Sequence, residues 1–593
     1  MWADSGIVES FNLSPRSVMT NGTTANAKRL LWAGFFAIFA SGVGFSVRAG
    51  ILTEWANSYG FTKTELGGIT GGGLWGFGLI ILAGAFLSEW IGYGKLMVLA
   101  VVTHLLSAAL QLATGEVYSA FGRDWTVAGL HLDLTYWNLY VAMFLFAVGN
   151  GICEAVVNPM IAALFPNQKT HYLNILHAGW PGGLLVGGGL SYLMNGNPVG
   201  DYVMFPTKVP WLIQMSIFLV PVALYALLLL GQSLPKSEAG AAGIGFGRMM
   251  LQFVSPILLL LLFIHALVGY VELGTDSWIA KITGTIMANA GWGIILFVYT
   301  SSLMFALRFF GGPIEHRLSP LGLLCISGVL GAIGLTLLGN VTTVADPGAT
   351  KAVIFCVCAA TVYACGKTFL WPTMLAVVSE RYPKGGSLTI GAVGGIGMLS
   401  AGFLGGPAIG FQQDFYATKQ LKEDAPASYE RYAVDKENSF YGLATVKGLN
   451  GQKVNVLELE DTILKQDKAI AEEKTDDAKK QAEDARKDAA EELKKTLDRE
   501  PKLKEWWENG KPDAKPEPIP PAEKFADKDA PPIAAAGLFG GEMALRWTAL
   551  VPALMAVLYL VLILYFKLTG GYTKVQVDAT AEKAQEMMNA YEG

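Results

Sequence analysis

The sequence predicts an all-α membrane protein with twelve transmembrane helices in two pseudo-symmetric six-helix bundles. Three observations predict it: little charge against a high apolar content, about twelve apolar runs each long enough to cross a bilayer, and an internal repeat relating the first six runs to the second six. Hydrophobic residues make up 52% of the 593 positions and charged ones 16%, with mean hydropathy +0.39. A soluble chain is about a quarter charged. The net charge of −5 hides an uneven distribution, because more than half of all Asp, Glu, Lys and Arg fall between 412 and 542. The chain reads as a membrane body with one polar insertion.

A bilayer core needs about 20 apolar residues per helix. Residues 1–28 read as a cytoplasmic N-terminal tail of mixed polarity. The first bundle spans 29–232, with apolar runs near 29–52, 67–90, 95–115, 137–164, 171–195 and 210–232. A central cytoplasmic loop covers 233–250. Helices seven to eleven occupy 251–410, near 251–275, 288–312, 320–340, 351–379 and 387–410. The polar insertion is 411–543, helix twelve 544–568, and 569–593 a cytoplasmic C-terminal tail. Lys and Arg set the orientation. Even-numbered loops carry Lys95, Lys169, Lys236, Arg248, Arg317, Arg381 and Lys384, and the termini add six more basic residues. Both termini are therefore expected in the cytoplasm, with the insertion outside, as in a bacterial inner membrane. The stretch LEDTILKQDKAIAEEKTDDAKKQAEDARKDAAEELKKTL predicts one long exposed helix held by i,i+4 charge pairs. KPDAKPEPIPPAEK, from Lys511, predicts an extended linker. The insertion reads as a solvated stalk or as a surface for an extracytoplasmic partner.

The five cysteines, Cys153, Cys325, Cys356, Cys358 and Cys365, all lie in apolar runs and read as small apolar residues. No metal, phosphate-loop, nucleophile-elbow or nucleic-acid pattern is present, so neither a cofactor nor an enzymatic activity is expected.

The repeat locates the site. Run four carries GICEAVVNPMIAALFP (151–166) and run ten carries YACGKTFLWPTMLAVVSERYP (363–383). With Pro159 set on Pro372, Glu154 falls on Lys367 and Asn158 on Trp371. A glycine-rich helix follows each: NILHAGWPGGLLVGGG from Asn174, and TIGAVGGIGMLSAGFLGG from Thr389. The loops AFLSEWIGYGK (85–95) and GGPIEHRLSP (311–320) share a small residue, an acid four positions on and a following basic residue. These features resemble the major facilitator superfamily. The two loops are similar to that family's loop signature, with Glu89 and Glu315 in place of its aspartate and few of its basic residues. The resemblance implies alternating access with the solute bound between the halves. A narrower resemblance, to the fucose/galactose/glucose:proton symporter branch, rests on Glu154, Asn158 and Pro159 and on GYVELGTDSW (269–278). It implies sugar binding and proton coupling at Glu154. That branch has an acid in helix one, where this chain has Arg48.

An ionisable residue in mid-membrane is a functional candidate by default. Glu154 reads as a proton and hydroxyl site or as a buried ion-pair partner. Lys367 is its pseudo-symmetric counterpart, and the two are expected to pair across the midplane when the site is empty. Arg48 either faces the cavity or snorkels to the interface. His177 and His265 are lone imidazoles of the kind that usually satisfy structural hydrogen bonds; His177 is the better candidate to line the site. Trp371, Trp180, Trp75 and Trp278 can stack on sugar faces or simply pack. Glu272 and Asp276 share one face of helix seven. The expected function is secondary active transport of a small polar solute, a monosaccharide in the first reading, with a proton. Two alternatives stay open: an organic or phosphorylated anion carrier using Arg48 and Lys367, and a transporter-derived sensor or assembly protein acting through the insertion. The expected partners are the solute, protons and the lipid bilayer, with no nucleic acid, in a monomer.

Overall fold

The computed structural model describes residues 22–575 apart from 60, 62, 123–124, 128–129, 197–201, 435–437, 443, 473–474 and 510–522. Twelve membrane helices follow one another: α1 (Gly22–Tyr59), α2 (Lys63–Ile91), α3 (Tyr93–Leu112), α4 (Leu134–Leu164), α5 (Lys169–Met194) and α6 (Trp211–Ser216 with Leu219–Leu229) in the first half. The second half has α7 (Pro256–Gly269, then Tyr270–Gly274), α8 (Ala290–Arg308), α9 (Pro320–Leu338), α10 (Thr350–Lys367 with Leu370–Arg381), α11 (Gly386–Ser400, Ala401–Gly405 and Gly406–Asp424) and α12 (Glu523–Leu568). Eleven of these segments are long and apolar enough to cross a membrane. The other, α5, is diluted by Lys169, His171, Asn174, His177 and its many glycines. Large apolar side chains face outward on α3 (Val98, Leu99, Val102, Leu105, Leu106) and α12 (Leu550, Val557, Val561, Leu564). Exposed apolar faces of this extent suit lipid. The chain is a multi-pass integral membrane protein.

Glycines let the helix backbones touch. A Cβ on Gly42 would lie 2.4 Å from the Trp180 carbonyl oxygen, and one on Gly183 2.4 Å from that of Phe39, so α1 and α5 cross at backbone contact. Gly391 against Ala85 and Gly395 against Leu82 bring α11 onto α2 across the two halves. Gly269 is the tightest of these crossings, its Cβ position lying 1.9 Å from the Gly397 carbonyl oxygen. Both partner helices then widen into a π-turn, Tyr270–Gly274 in α7 and Ala401–Gly405 in α11. The turns meet through Gly274 and Gly405.

Several expected boundaries move. Helix eleven runs on to Asp424 rather than stopping at 410, and helix twelve begins at Glu523 rather than 544. Both extend beyond the apolar zone because they pack on each other and enclose a second core. That core contains Leu421, Tyr429, Tyr432, Leu457, Ile533 and the edge of Trp506. Helix one is already helical at Gly22, ahead of the expected 28-residue tail, and the rest of that tail lies outside the described residues. The same holds for the C-terminal tail beyond 575 and for most of the KPDAKPEPIPPAEK linker. The long insertion helix is in fact two, Gly451–Glu472 and Asp476–Arg499, lying against each other. Folding back buries Val456 and Leu497 in one cluster, which a single solvated rod would leave in water. Two buried acids fix the insertion. Asp529 of α12 accepts from Ser428 at 2.6 Å and from both Nε and Nη2 of Arg431, at 2.8 and 2.6 Å. Glu460 accepts from the Trp507 indole at 2.6 Å.

Two predictions follow from these contacts. Gly269→Leu should lower the stability of the purified protein by at least the ~1–3 kcal/mol of an overpacked core, read as a fall in the apparent melting temperature, because backbone on α11 leaves no room. Burial pushes the Glu460 carboxyl up to about 7, partly offset by the Trp507 bond. The folded insertion therefore holds this proton more tightly than the unfolded chain, and its stability should fall as pH rises from about 4.5 to about 7. Hydrogen exchange of the Gly451–Glu472 helix should accelerate over that window beyond the intrinsic rate, and Glu460→Gln should remove this excess.

Candidate functional site

The middle of α4 is buried on every side from Gly149 to Ala162. A helix end in water would give a glutamate there somewhere to go; here Glu154 is enclosed, only 5% exposed. It lies on the wall of a small cavity of ≈ 20 Å³ between the two halves. The first half contributes Glu154, His177 and Trp180, and the second Glu272, Leu273, Arg308, Trp371 and Met398. That is room for about one water, far below the ~300–1,000 Å³ of small-molecule sites, so the two halves are closed around it.

A hydrogen-bonded chain runs through this wall. Asn158 lies one helical turn after Glu154, and its Nδ2 donates to Glu154 Oε2 at 3.2 Å. Asn158 Oδ1 meets His177 Nε2 at 2.8 Å. The backbone oxygen of His177 accepts from Arg308 Nη1 at 2.5 Å, which carries the chain from α5 to α8. Arg308 also donates to the Thr368 carbonyl at 2.9 Å and to Glu272 Oε1 at 2.8 Å. Both members of that ion pair are almost fully buried. A bifunctional guanidinium with a fixed fork can make these three bonds at once; a lysine could not reach them in this geometry.

Lys367 does not pair with Glu154. Its ammonium is bonded to Asp276 of α7 and lies 5.3 Å from the Tyr363 ring centre, away from the cavity lining. The pseudo-symmetric alignment places Glu154 and Lys367 at equivalent depths. The π-turn of α7 and the proximity of α7 to α10 supply Lys367 with an acid from its own half. Glu272 Oε2 has no hydrogen-bond partner. Trp371 lines the cavity with its indole nitrogen unbonded, and its ring meets the edge of His265 at 4.6 Å. Neither nitrogen of His265 has a partner among the described residues, so the expected structural hydrogen bond is not seen there. Arg48 faces inward in a neighbouring cavity within the first half, against Phe45. Trp278 donates its indole N–H to the Gly406 carbonyl at 2.8 Å, and Trp75 packs on Phe144, so neither lines the central cavity.

Arg308 was missed from the sequence, where it sits at the edge of ALRFFGG and reads as a loop-side charge. The available signal was its place inside the apolar run 288–312, three residues before Gly311. On the side of the chain termini the halves are tied together. Lys169 bonds Glu238 at 2.8 Å and the Ser379 carbonyl at 3.0 Å. Glu89, the acid of the first repeated loop, accepts from Ser387 at 2.6 Å and from Ser237 at 2.7 Å.

These features agree with comparisons to known proteins. The family model of the Major Facilitator Superfamily matches residues 34–407. Among solved structures, a point variant of the E. coli fucose:proton symporter FucP superposes with TM-score 0.50 at 15% identity, covering 66% of this chain and 93% of that one. The proton:xylose symporter XylE bound to 6-bromo-6-deoxy-D-glucose superposes with TM-score 0.54 at 12% identity, covering 68% and 91%. At such identities the likeness is one of fold. No curated protein sequence matches. With its twelve helices, its repeat and a family match across both bundles, the chain belongs to the major facilitator superfamily of membrane transporters.

Proposed function

We propose that the protein is a secondary active transporter that moves a small polyhydroxylated solute, of the monosaccharide class, together with a proton. One observation carries this reading. Among the described residues, Glu272 is paired with Arg308 and Asp276 with Lys367, whereas Glu154 makes no ion pair and accepts a hydrogen bond from the Asn158 amide. Glu154 can gain or lose a proton without breaking a salt bridge. It also lines the cavity, so a solute hydroxyl can bond the same carboxylate. A site shared by proton and solute couples their binding. His177 and Asn158 orient the carboxylate, and Trp180 and Trp371 offer flat apolar faces to a sugar ring. Arg308 supports the two-state element that coupling requires. Its bond to the His177 carbonyl joins the halves and must break or shift when one rocks against the other. Lys367 holds Asp276 and acts on the site through α7.

Glu154→Gln should abolish proton-driven accumulation in proteoliposomes while leaving counterflow exchange of the solute. Accumulation that survives this change would remove Glu154 as the coupling group. Replacing about 420–535 by a short linker, which removes Asp529 together with its donors Ser428 and Arg431, should leave uptake within a few-fold of the intact protein, because Gly540 of α12 still rests on Gln413 and Ala417 of α11. Loss of uptake with the membrane body still folded would favour the sensor or assembly reading instead.

A further inference from the structure

A buried arginine without an acid beside it marks a second chamber. Arg48 of α1 is 7% exposed. Its guanidinium lies 4.8 Å from the Phe45 ring centre and makes no hydrogen bond or ion pair to any described residue. It faces a small cavity of ≈ 20 Å³ whose wall includes Ser41, Gly73, Phe77, Asn150 and Trp180. A Cβ on Gly73 would lie 3.4 Å from Arg48 Nη1, so the glycine keeps the space beside the guanidinium clear. Asn150 uses its Oδ1 twice, accepting from Ser41 at 2.7 Å and meeting His104 Nε2 at 2.9 Å. Its Nδ2 donates to no described residue. The chamber thus presents two unused donors, one of them charged.

The two buried cations of the second half are already matched, Arg308 on the cavity wall by Glu272 and Lys367 behind it by Asp276. Among the described residues Arg48 has no acid beside it, and a buried positive charge is costly in a membrane interior unless water or an anion meets it. Trp180 lines both chambers. A solute seated against Trp180 borders both the cavity of Glu154 and that of Arg48.

We infer that Arg48 receives a carboxylate on the transported solute, so that the substrate is a sugar acid. This rests on the reading of a polyhydroxylated solute given above and narrows it. Charge matching selects the anion. A carboxylate brings one negative charge and two coplanar acceptors that fit the guanidinium fork. A phosphate monoester brings about −1.5 to −2 at neutral pH, leaving negative charge unmatched in an apolar chamber.

Thermal stabilisation of the purified full-length protein tests this with matched probes: D-galacturonate against D-galactose, D-gluconate against D-glucose, and glucose 6-phosphate as the dianionic arm. A ligand that binds the folded state raises its apparent melting temperature. Each sugar acid should reach half-maximal stabilisation at a concentration at least tenfold below its neutral partner, and glucose 6-phosphate should do no better than glucose. Arg48→Gln should erase the tenfold preference, and Arg48→Lys should keep part of it, since the charge stays and the fork is lost. The wild-type comparison decides even where a variant does not fold. Equal binding of acids and neutral sugars, preference for the phosphate, or a preference that persists in Arg48→Gln each overturns the inference and leaves the sugar-transport reading standing. Stabilisation by none of the five probes overturns both.

Discussion

Charge inside a bilayer must be balanced, and the way these residues balance one another organises the centre of the molecule. Arg308 is the pivot. It neutralises Glu272, satisfies the Thr368 carbonyl on α10 and reaches the His177 carbonyl on α5. Removing one partner of a buried pair costs about 3–5 kcal/mol because the other charge is stranded. The bonds of Arg308 therefore fix where α7, α8 and α10 stand relative to α5. Glu272 and Asp276 are neutralised from their own half, whereas Glu154 has no ion-pair partner among the described residues. The halves differ: the second is internally paired, while the first holds, among the described residues, an acid and an arginine in adjoining cavities that form no ion pair.

Backbone contact supplies the complementary constraint. Transporters of this architecture work by moving one bundle against another around a central site. Long side chains interlocked across the α2–α11 crossing would resist such motion. Gly391 on Ala85 and Gly395 on Leu82 give a close but smooth surface instead. The π-turns of α7 and α11 sit just beyond the Gly269–Gly397 contact. A π-turn leaves backbone groups imperfectly bonded within the helix and often marks a functional position. Here the turn in α7 carries Glu272. The place where α7 departs from regular helix is thus also where it delivers its acid to Arg308.

The architecture was legible in the sequence because lipid imposes a strong, local signature: run length, apolar content and a repeated proline-centred string. Those signals do not depend on which helix lies beside which. Partner choice does depend on it. Aligning Pro159 with Pro372 gave Glu154 and Lys367 their depth, but depth alone suggested a pair across the midplane. The rotation of α10 toward α7 instead gave Lys367 to Asp276, and no one-dimensional pattern encodes that rotation. Arg308 was hidden for a related reason, since a charge near the end of an apolar run looks the same whether it turns toward water or into the bundle. In the insertion the helix break was readable in principle. Thr475 followed by two aspartates in EEKTDDAKK is a helix-start pattern, but uniform helix propensity on both sides masked it.

The insertion is anchored more firmly than a stalk requires. Asp529 is fully buried within α12 and takes three hydrogen bonds from Ser428 and Arg431. An acid so placed is destabilising unless its donors are present, so the two ends of the insertion hold each other in place. The same α12 continues without interruption to Leu568, and Pro552 within it rests against Gly328 and Gly331 of α9. Any movement of α9 or α12 during transport is therefore passed to the base of the insertion. Conversely, a partner seated on the insertion would bias the position of α12. The polar domain and the membrane body share one rigid element, and the mechanical link between them is covalent.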